Sequence, residues 1–436
     1  MTTRDASSSK PVATLVVTGI GKCLTMAGNG GGPLTGAAQE AVGELRDAAV
    51  AAAGDKLIYV GPASGLPAAV RVSPVATRLD AEHGLVLPGF VDAHTHLVFA
   101  GWRAGEFAQR IGGASHQEIL AQGGGILRTV AATRNASEEQ LVESAGRRLR
   151  RMIAAGSTTI EVKSGYGLSL ADEAKILRVV HRLDGTGPWD LVATFLGAHA
   201  LPAEFQADRD GYVALIEQMI HTLADRASFI DAFCEVGAFT GRECRRLLLA
   251  GRKAGLRPKL HADQLSDSGG AALAAEVGAI SADHLDCVSV AGMEALAAAG
   301  VVGVMLPGVP LYLMSRRQAP ASRLQAAGVP LALATDFNPG TCPIESMGQI
   351  VAFACLLMRL SPAAALVAAT RNAAHAVGRG ATVGTLEVGK KADLLWYRVD
   401  DYRQIPYRFG QLPPAAVVKS GHLVARDGHY LDEAEG

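Results

Sequence analysis

Hydrophobic and polar positions change rhythm twice along this chain. Over the first eighty residues, apolar runs at Ala13–Val17, Ala48–Ala53 and Lys56–Val60 are broken by glycine and proline, and Gly28–Pro33 reads as a loop. That segment predicts strands only. From about Gly84, short apolar runs alternate with stretches whose apolar residues recur at helical spacing. The predicted strands are Leu85–Leu97, Thr158–Lys163, Leu191–Gly197, Phe229–Cys234, Pro258–His261, Ser281–Leu285, Val301–Leu306 and Leu331–Thr335. Between them lie predicted helices at Glu138–Ala155, Leu170–Leu183, Arg209–Ala224, Thr240–Ala254, Gly269–Val277 and Val290–Ala298. Such alternation implies right-handed crossovers and a parallel sheet, and eight such strands close a (β/α)8 TIM-type barrel, an α/β fold. After about Val383 the pattern returns to strands at Thr385–Val388, Ala392–Tyr397, Ala416–Lys419 and His422–Ala425. Each flanking segment is too short to bury much core alone. Residues 1–83 and 383–436 are therefore expected to form one small β-sandwich beside a barrel of residues 84–382.

Composition narrows the class. The 436 residues are 49% hydrophobic and 19% charged, with 41 Lys+Arg against 42 Asp+Glu and a net charge of −1. A chain this apolar and this nearly neutral is not disordered. Its balanced charge argues against a surface built to hold nucleic acid. No apolar stretch approaches the ~20 residues that a membrane span needs, and polar Met1–Lys10 lacks the pattern of a signal peptide. Six cysteines (Cys23, Cys234, Cys244, Cys287, Cys342, Cys355) occur without a CxxC pair, which predicts reduced thiols and a cytoplasmic setting.

The densest chemistry lies in Asp92-Ala93-His94-Thr95-His96. Side chains alternate faces along a strand, so Asp92, His94 and His96 share one face, and two imidazoles at that spacing can grip one cation. Taken alone, the pair could equally be ordinary histidines at a strand–loop junction. Two further strand ends shift that balance: His261 closes one, and Asp336 closes the last. Barrel enzymes build their sites at the C-terminal ends of strands. Three imidazoles and a carboxylate suit zinc or iron with a position left for water.

These motifs resemble the amidohydrolase superfamily, and within it the imidazolonepropionase family. The narrower likeness rests on Trp102–Phe107, Gly123–Ile126, Thr133-Arg134, Glu161–Gly167, Gly197–Ala200, His261–Leu265 and Thr335–Thr341, spanning about Leu85 to Ala373. The resemblance implies hydrolysis of the cyclic amide C–N bond of 4-imidazolone-5-propanoate to N-formimidoyl-L-glutamate by metal-activated water, a step in histidine degradation. It implies His94, His96, His261 and Asp336 as ligands of one Zn2+ or Fe3+ per subunit. Arg103, Tyr166, His199, Gln264, Asn338, Gly340 and Thr341 are implied as substrate-binding, and His284 and Asp336 as catalytic, with the division of proton transfer between those two open.

Residue chemistry agrees for several of these positions. Arg103 offers a planar fork to a substrate carboxylate, against the alternative of a surface ion pair. Tyr166 lies in a Ser-Gly-Tyr-Gly turn directly after a strand, where a ligand can approach; otherwise it is a packed aromatic. His199 could bond the ring or the carboxylate, or be a core histidine. Gln264 stands where some family members have glutamate, and an amide binds substrate but cannot shuttle a proton. Lys163 lies too early in the chain for the carbamylated lysine of binuclear amidohydrolases, so the site is read as mononuclear. His116, where the resemblance leads one to expect tyrosine, is read as a surface or packing residue. A nucleobase deaminase on the same barrel is the nearest alternative, and Gln264 weighs against it. A non-catalytic barrel scaffold is the more distant one, and four intact ligand positions weigh against that. The expected partner is a small carboxylate-bearing substrate, with no nucleic acid or membrane, and a symmetric homodimer is the default assembly.

Overall fold

The computed structural model describes residues 10–28, 30–114, 118–119 and 122–432. His116 therefore lies outside the described residues.

Strands β1 (Val12–Leu24), β2 (Glu44–Ala53), β3 (Lys56–Pro62), β4 (Arg71–Asp80) and β5 (Leu85–Pro88) open the chain. Eight follow: β6 (Phe90–Asp92), β7 (Ser157–Lys163), β8 (Asp190–Ala198), β9 (Phe229–Cys234), β10 (Arg257–Ala262), β11 (Ser281–His284), β12 (Val302–Met305) and β13 (Leu331–Leu333). The chain ends on β14 (Leu394–Tyr397), β15 (Ala416–Lys419), β16 (His422–Arg426) and β17 (His429–Tyr430).

Strands β6 to β13 pair in sequence order, all parallel, as the alternating pattern predicts. Every residue of β7 is buried, the mark of a parallel strand covered on both faces. The intervening helices start where side chains satisfy their first N–H groups. Ser137 and Gln140 form a reciprocal capping box before the helix Glu138–Ala154, and Thr240 and Glu243 do the same before Gly241–Lys253.

The barrel is closed by the segments that run on past β6 and β13. His96 N donates to Phe337 O (2.9 Å) and Asp336 N to His94 O (3.0 Å). Asp92 adds a side-chain clamp, accepting from Thr335 N (3.0 Å) and Thr335 Oγ1 (2.7 Å). The residues that carry the chemistry are thus the seam of the barrel.

The second sheet has nine strands drawn from both chain ends, in the order β17-β16-β15-β14-β5-β1-β2-β3, with β4 on β1. A bulge between Val17 and Ile20 lets β4 and then β5 pair with successive stretches of β1. Leu15, Val17 and Leu57 share one apolar core with Leu394, Trp396 and Val418, so the two ends fold together. Two expectations are corrected. The strand expected over Leu85–Leu97 is two strands split at Gly89, with β5 in the small sheet, paired to β1 and β14, and only β6 in the barrel. A Cβ on residue 89 would lie 2.2 Å from Thr158 Oγ1, so only glycine lets the chain cross between the sheets here. Thr385–Val388 forms no strand; Leu386 N donates a lone backbone bond to Thr25 O.

All six cysteines are free thiols. No helix among the described residues is long and apolar enough to cross a membrane.

Candidate active site

Past the end of β6 the chain stays extended, so His94 and His96 keep the common face that alternation gives them. Their Nε2 atoms lie 3.5 and 3.4 Å from Asp336 Oδ1. Asp336 reaches them because its backbone turns left-handed, at φ +49°. That conformation costs a non-glycine residue roughly 1–3 kcal/mol and clusters at functional sites. His261, ending β10, sets its ring centroid 4.5 Å from that of His94 and 5.6 Å from that of His96.

His284 joins from β11, its ring 5.2 Å from that of His261 and 5.6 Å from that of His94. Its neighbour Asp283 also points inward and contacts His94. Consecutive strand residues face opposite ways; both reach the site because His284 and Leu285 adopt φ +79° and +65°, which ends the strand and turns the imidazole back. The ligating atoms of His94, His96 and Asp336 lie within 4.8 Å of one another, as do those of His94, His261 and His284 and those of His96, His199 and His261.

This donor set fits a first-row cation. His94 Nε2, His261 Nε2 and Asp336 Oδ1 are buried with no hydrogen-bond partner among the described residues, and unsatisfied buried polar atoms are costly unless something meets them. Burial, reinforced by nearby cationic groups, holds the imidazoles of His94, His96 and His284 well below the ordinary histidine range. They are neutral and keep a lone pair free to ligate. Burial pushes the Asp336 carboxyl up to about 7, opposed chiefly by His261.

On one flank, His199 stacks on His96 at 4.8 Å and 11°, with Tyr166 5.5 Å from His199 and 5.6 Å from His96. Gly165 O fixes His199 through Nδ1 at 3.0 Å, turning Nε2 toward the cluster. Gly165 itself has φ +98°, and a Cβ there would lie 2.8 Å from His199 Nδ1. Burial raises the Tyr166 phenol well above its ordinary value, so it stays a neutral donor. Burial likewise lowers His199 to about 3, with His261 adding to the effect.

Arg103 is 8% exposed, and its Nε finds no hydrogen-bond partner among the described residues. Glu106 Oε2, at 3.8 Å, lies beyond hydrogen-bond reach. Arg103 packs against Gly340, and its backbone N donates to Pro339 O (3.2 Å). Its charge acts on both Tyr166 and His199. A buried guanidinium with a spare donor, within electrostatic range of Tyr166 and His199, is suited to receive an anion.

Asn338 is bonded within its own turn. Its Oδ1 accepts from Gly340 N (2.9 Å) and Thr341 N (2.7 Å), and its Nδ2 donates to Asp336 O (2.8 Å) and Thr341 Oγ1 (2.8 Å). Saturated within its own turn, it shapes the floor under Arg103. Gln264 is half-buried on a loop pinned from both sides. Asp263 accepts from Ser268 N, Gly270 N and Ala271 N, and Glu235 from Leu265 N and Ser266 N.

The sequence reading missed the charged groups beneath the cluster. Asp283 Oδ2 meets His94 Nδ1 at 2.6 Å, and Asp231 Oδ2 lies 3.0 Å from His261 Nδ1. Lys163 sits among Asp231, Glu161 and Asp283. Burial opposes its charge, but these carboxylates outweigh burial and hold its pKa above the ordinary lysine value. One available signal was the i, i+2 spacing of Glu161 and Lys163, alternating with Ile160 and Val162, which puts both charges on one face.

The amidohydrolase family matches residues 85–424. Imidazolonepropionase from Geobacillus kaustophilus is 48% identical over 414 residues, covering 93% of this chain and 96% of the relative. The enzyme of that name from Symbiobacterium thermophilum is 46% identical, covering 96% and 99%. The chain belongs to the imidazolonepropionase family of amidohydrolases. Among solved structures, an adenosine deaminase from Xanthomonas campestris with bound zinc superposes at TM-score 0.71 and 18% identity, covering 97% of this chain and 95% of that one. A triazine hydrolase from Arthrobacter superposes at 0.67 and 17%, covering 96% of each. At those identities the likeness shows an amidohydrolase fold shared by enzymes of several substrates.

Proposed function

We propose that this hydrolase opens the ring of 4-imidazolone-5-propanoate, cleaving the cyclic amide C–N bond to give N-formimidoyl-L-glutamate. The observation that carries the reading is Arg103: a buried guanidinium with an unsatisfied donor, close enough for its charge to act on Tyr166 and His199, which border the imidazole cluster. The substrate needs both features at once, an anion-binding fork for its propionate and a hydrolytic centre for its ring. The identity to named imidazolonepropionases supports the same substrate.

His94, His96, His261 and Asp336 would hold the cation. Zinc or iron bound there supplies Lewis acidity and lowers the pKa of water from 15.7 toward about 7. Arg103 receives the propionate, and Tyr166 and His199 flank the ring and offer hydrogen bonds to its polar edge. Gln264 can donate or accept at the ring but moves no proton. Asp336, whose Oδ1 borders the imidazole pair, is placed to take a proton from water and return it to the departing nitrogen. His284, neutral and fixed on its left-handed turn, faces the same space and orients the water. Water is limited by burial: His94, His96, His261 and His284 are all at most 3% exposed. The same reading takes residues 84–382 as the catalytic unit, a symmetric homodimer as the assembly and the cytoplasm as the setting.

Turnover of imidazolone propionate by purified protein, followed by loss of ring absorbance with zinc and iron quantified in the same sample, tests the proposal. Arg103→Gln is expected to raise KM roughly 10–100-fold, the value of a charge-assisted pair, with metal content unchanged. Ammonia release from nucleobases without ring opening would overturn it.

A further inference from the structure

Below the imidazole cluster the barrel interior holds five charged side chains: Glu161, Lys163, Asp231, Lys259 and Asp283, each at most 1% exposed. Lys163 Nζ is their hub, 2.7 Å from Asp231 Oδ2, 3.1 Å from Glu161 and 3.3 Å from Asp283 Oδ2. Lys259 Nζ lies 2.9 Å from Glu161 Oε1 and donates to Ala93 O at 3.3 Å, next to His94. Two of the three carboxylates around Lys163 also face histidines: Asp283 meets His94 Nδ1 and Asp231 lies against His261 Nδ1. Each is held from a second side, Asp283 by Ser281 Oγ (2.7 Å) and Asp231 by Ala232 N (2.7 Å) and His261 N (3.2 Å).

A neutral imidazole carries one N–H, and whichever nitrogen faces a carboxylate keeps it. Asp283 bonds Nδ1 of His94 and Asp231 stands 3.0 Å from Nδ1 of His261, so both carboxylates favour a lone pair at Nε2, and both Nε2 atoms lack hydrogen-bond partners among the described residues. The two carboxylates converge on one point, where their charges repel unless a cation stands between them. In a dry interior such pairing is decisive, because an uncompensated charge costs several kcal/mol.

From this arrangement we infer that Lys163 is a positioning residue for cation binding: its ammonium locks Asp231 and Asp283 onto Nδ1 of His261 and His94, and so presents both Nε2 atoms together. The inference rests on the reading of those histidines as metal-holding. It also gives Lys163 a use other than carbamylation, since three carboxylates already surround its ammonium.

The test is Zn2+ titration of chelator-stripped full-length protein against a chromophoric competitor. Wild type is compared with Lys163→Met, Asp231→Asn, Asp283→Asn and the double variant Lys163→Met/Asp283→Asn. Circular dichroism and the unfolding midpoint of the stripped proteins report folding. An asparagine puts a weaker, uncharged acceptor opposite Nδ1 and makes the ring a poorer ligand, so each Asn variant is expected to stay folded and to bind Zn2+ roughly 10–100-fold more weakly. Lys163→Met is expected to lose a similar factor, and the double variant to fall short of the product of the two losses, because Lys163 acts through the carboxylate. Zinc affinity unchanged in folded Lys163→Met, or losses that multiply in full, would overturn the inference. If Lys163→Met does not fold, unchanged affinity in both Asn variants overturns it alone. Wild-type protein that takes up no Zn2+ overturns the reading of the site itself, and this one with it.

Discussion

The guanidinium of Arg103 lies flat against the backbone of Gly340, so closely that a Cβ on residue 340 would sit 1.3 Å from Nη2. The turn after β13 thus supplies Asp336 to the imidazole cluster and, four residues on, the surface against which Arg103 rests.

Gly340→Ala must therefore displace Arg103. Steady-state kinetics should show KM for imidazolone propionate raised at least roughly tenfold, the scale of one disturbed charge-assisted bond, with kcat and metal content much less affected. An equal fall in kcat at unchanged KM would place Arg103 away from the substrate carboxylate.

Gly89→Ala probes the junction between the two sheets. The added methyl meets Thr158 Oγ1 at 2.2 Å and Thr158 Cγ2 at 2.6 Å, and overpacking of this kind costs about 1–3 kcal/mol. Thermal unfolding should show a midpoint lowered by several degrees, with turnover per folded molecule retained.

Deleting residues 383–436 removes Leu394, Trp396 and Val418 from the core they share with Leu15, Val17 and Leu57, and takes β14 away from β5. The truncated chain is expected to be insoluble or largely unfolded by circular dichroism. A folded, active truncation would show that the barrel does not need the small sheet.

His375 reports acid sensitivity away from the site. Burial, helped by Arg371 and Lys390, lowers its pKa to about 4. In the unfolded chain it takes up a proton near pH 6.5, so the stability it contributes is complete above that value and is lost as pH falls toward 4. Between those limits the unfolded state holds up to one more proton, worth about 1.4 kcal/mol per pH unit. Denaturant titrations of His375→Gln should show a shallower loss of stability from pH 6.5 to 4 than wild type, with the two curves parallel above pH 7.

The barrel was legible because several of its strands are short apolar runs, such as Val302–Met305, separated by amphipathic helices whose starts carry capping residues. The small sheet was only partly legible. Strand β4 is largely exposed, contains Pro74 and shows no apolar alternation, so nothing marks Arg71–Asp80 as a strand until β1 pairs with it. The run from Leu85 to Leu97 is uniformly apolar up to Asp92, which hides the change of sheet at Gly89. In the site, alternation in Asp92-Ala93-His94-Thr95-His96 was readable, while Asp231, Asp283 and Lys259 were not. Their partners come from other strands, and only closure of the barrel brings them together.

The seam between the first and last barrel strands has a bearing on biosynthesis. His94 and His96 are made early, yet the backbone bonds that fix their segment come from residues 336 and 337. Contacts separated by so much chain form late, since loop closure must precede them. A nascent polypeptide therefore carries the histidine pair through most of its synthesis before Asp336 exists, and the cluster of imidazoles and carboxylate is complete only once the ring of strands has closed.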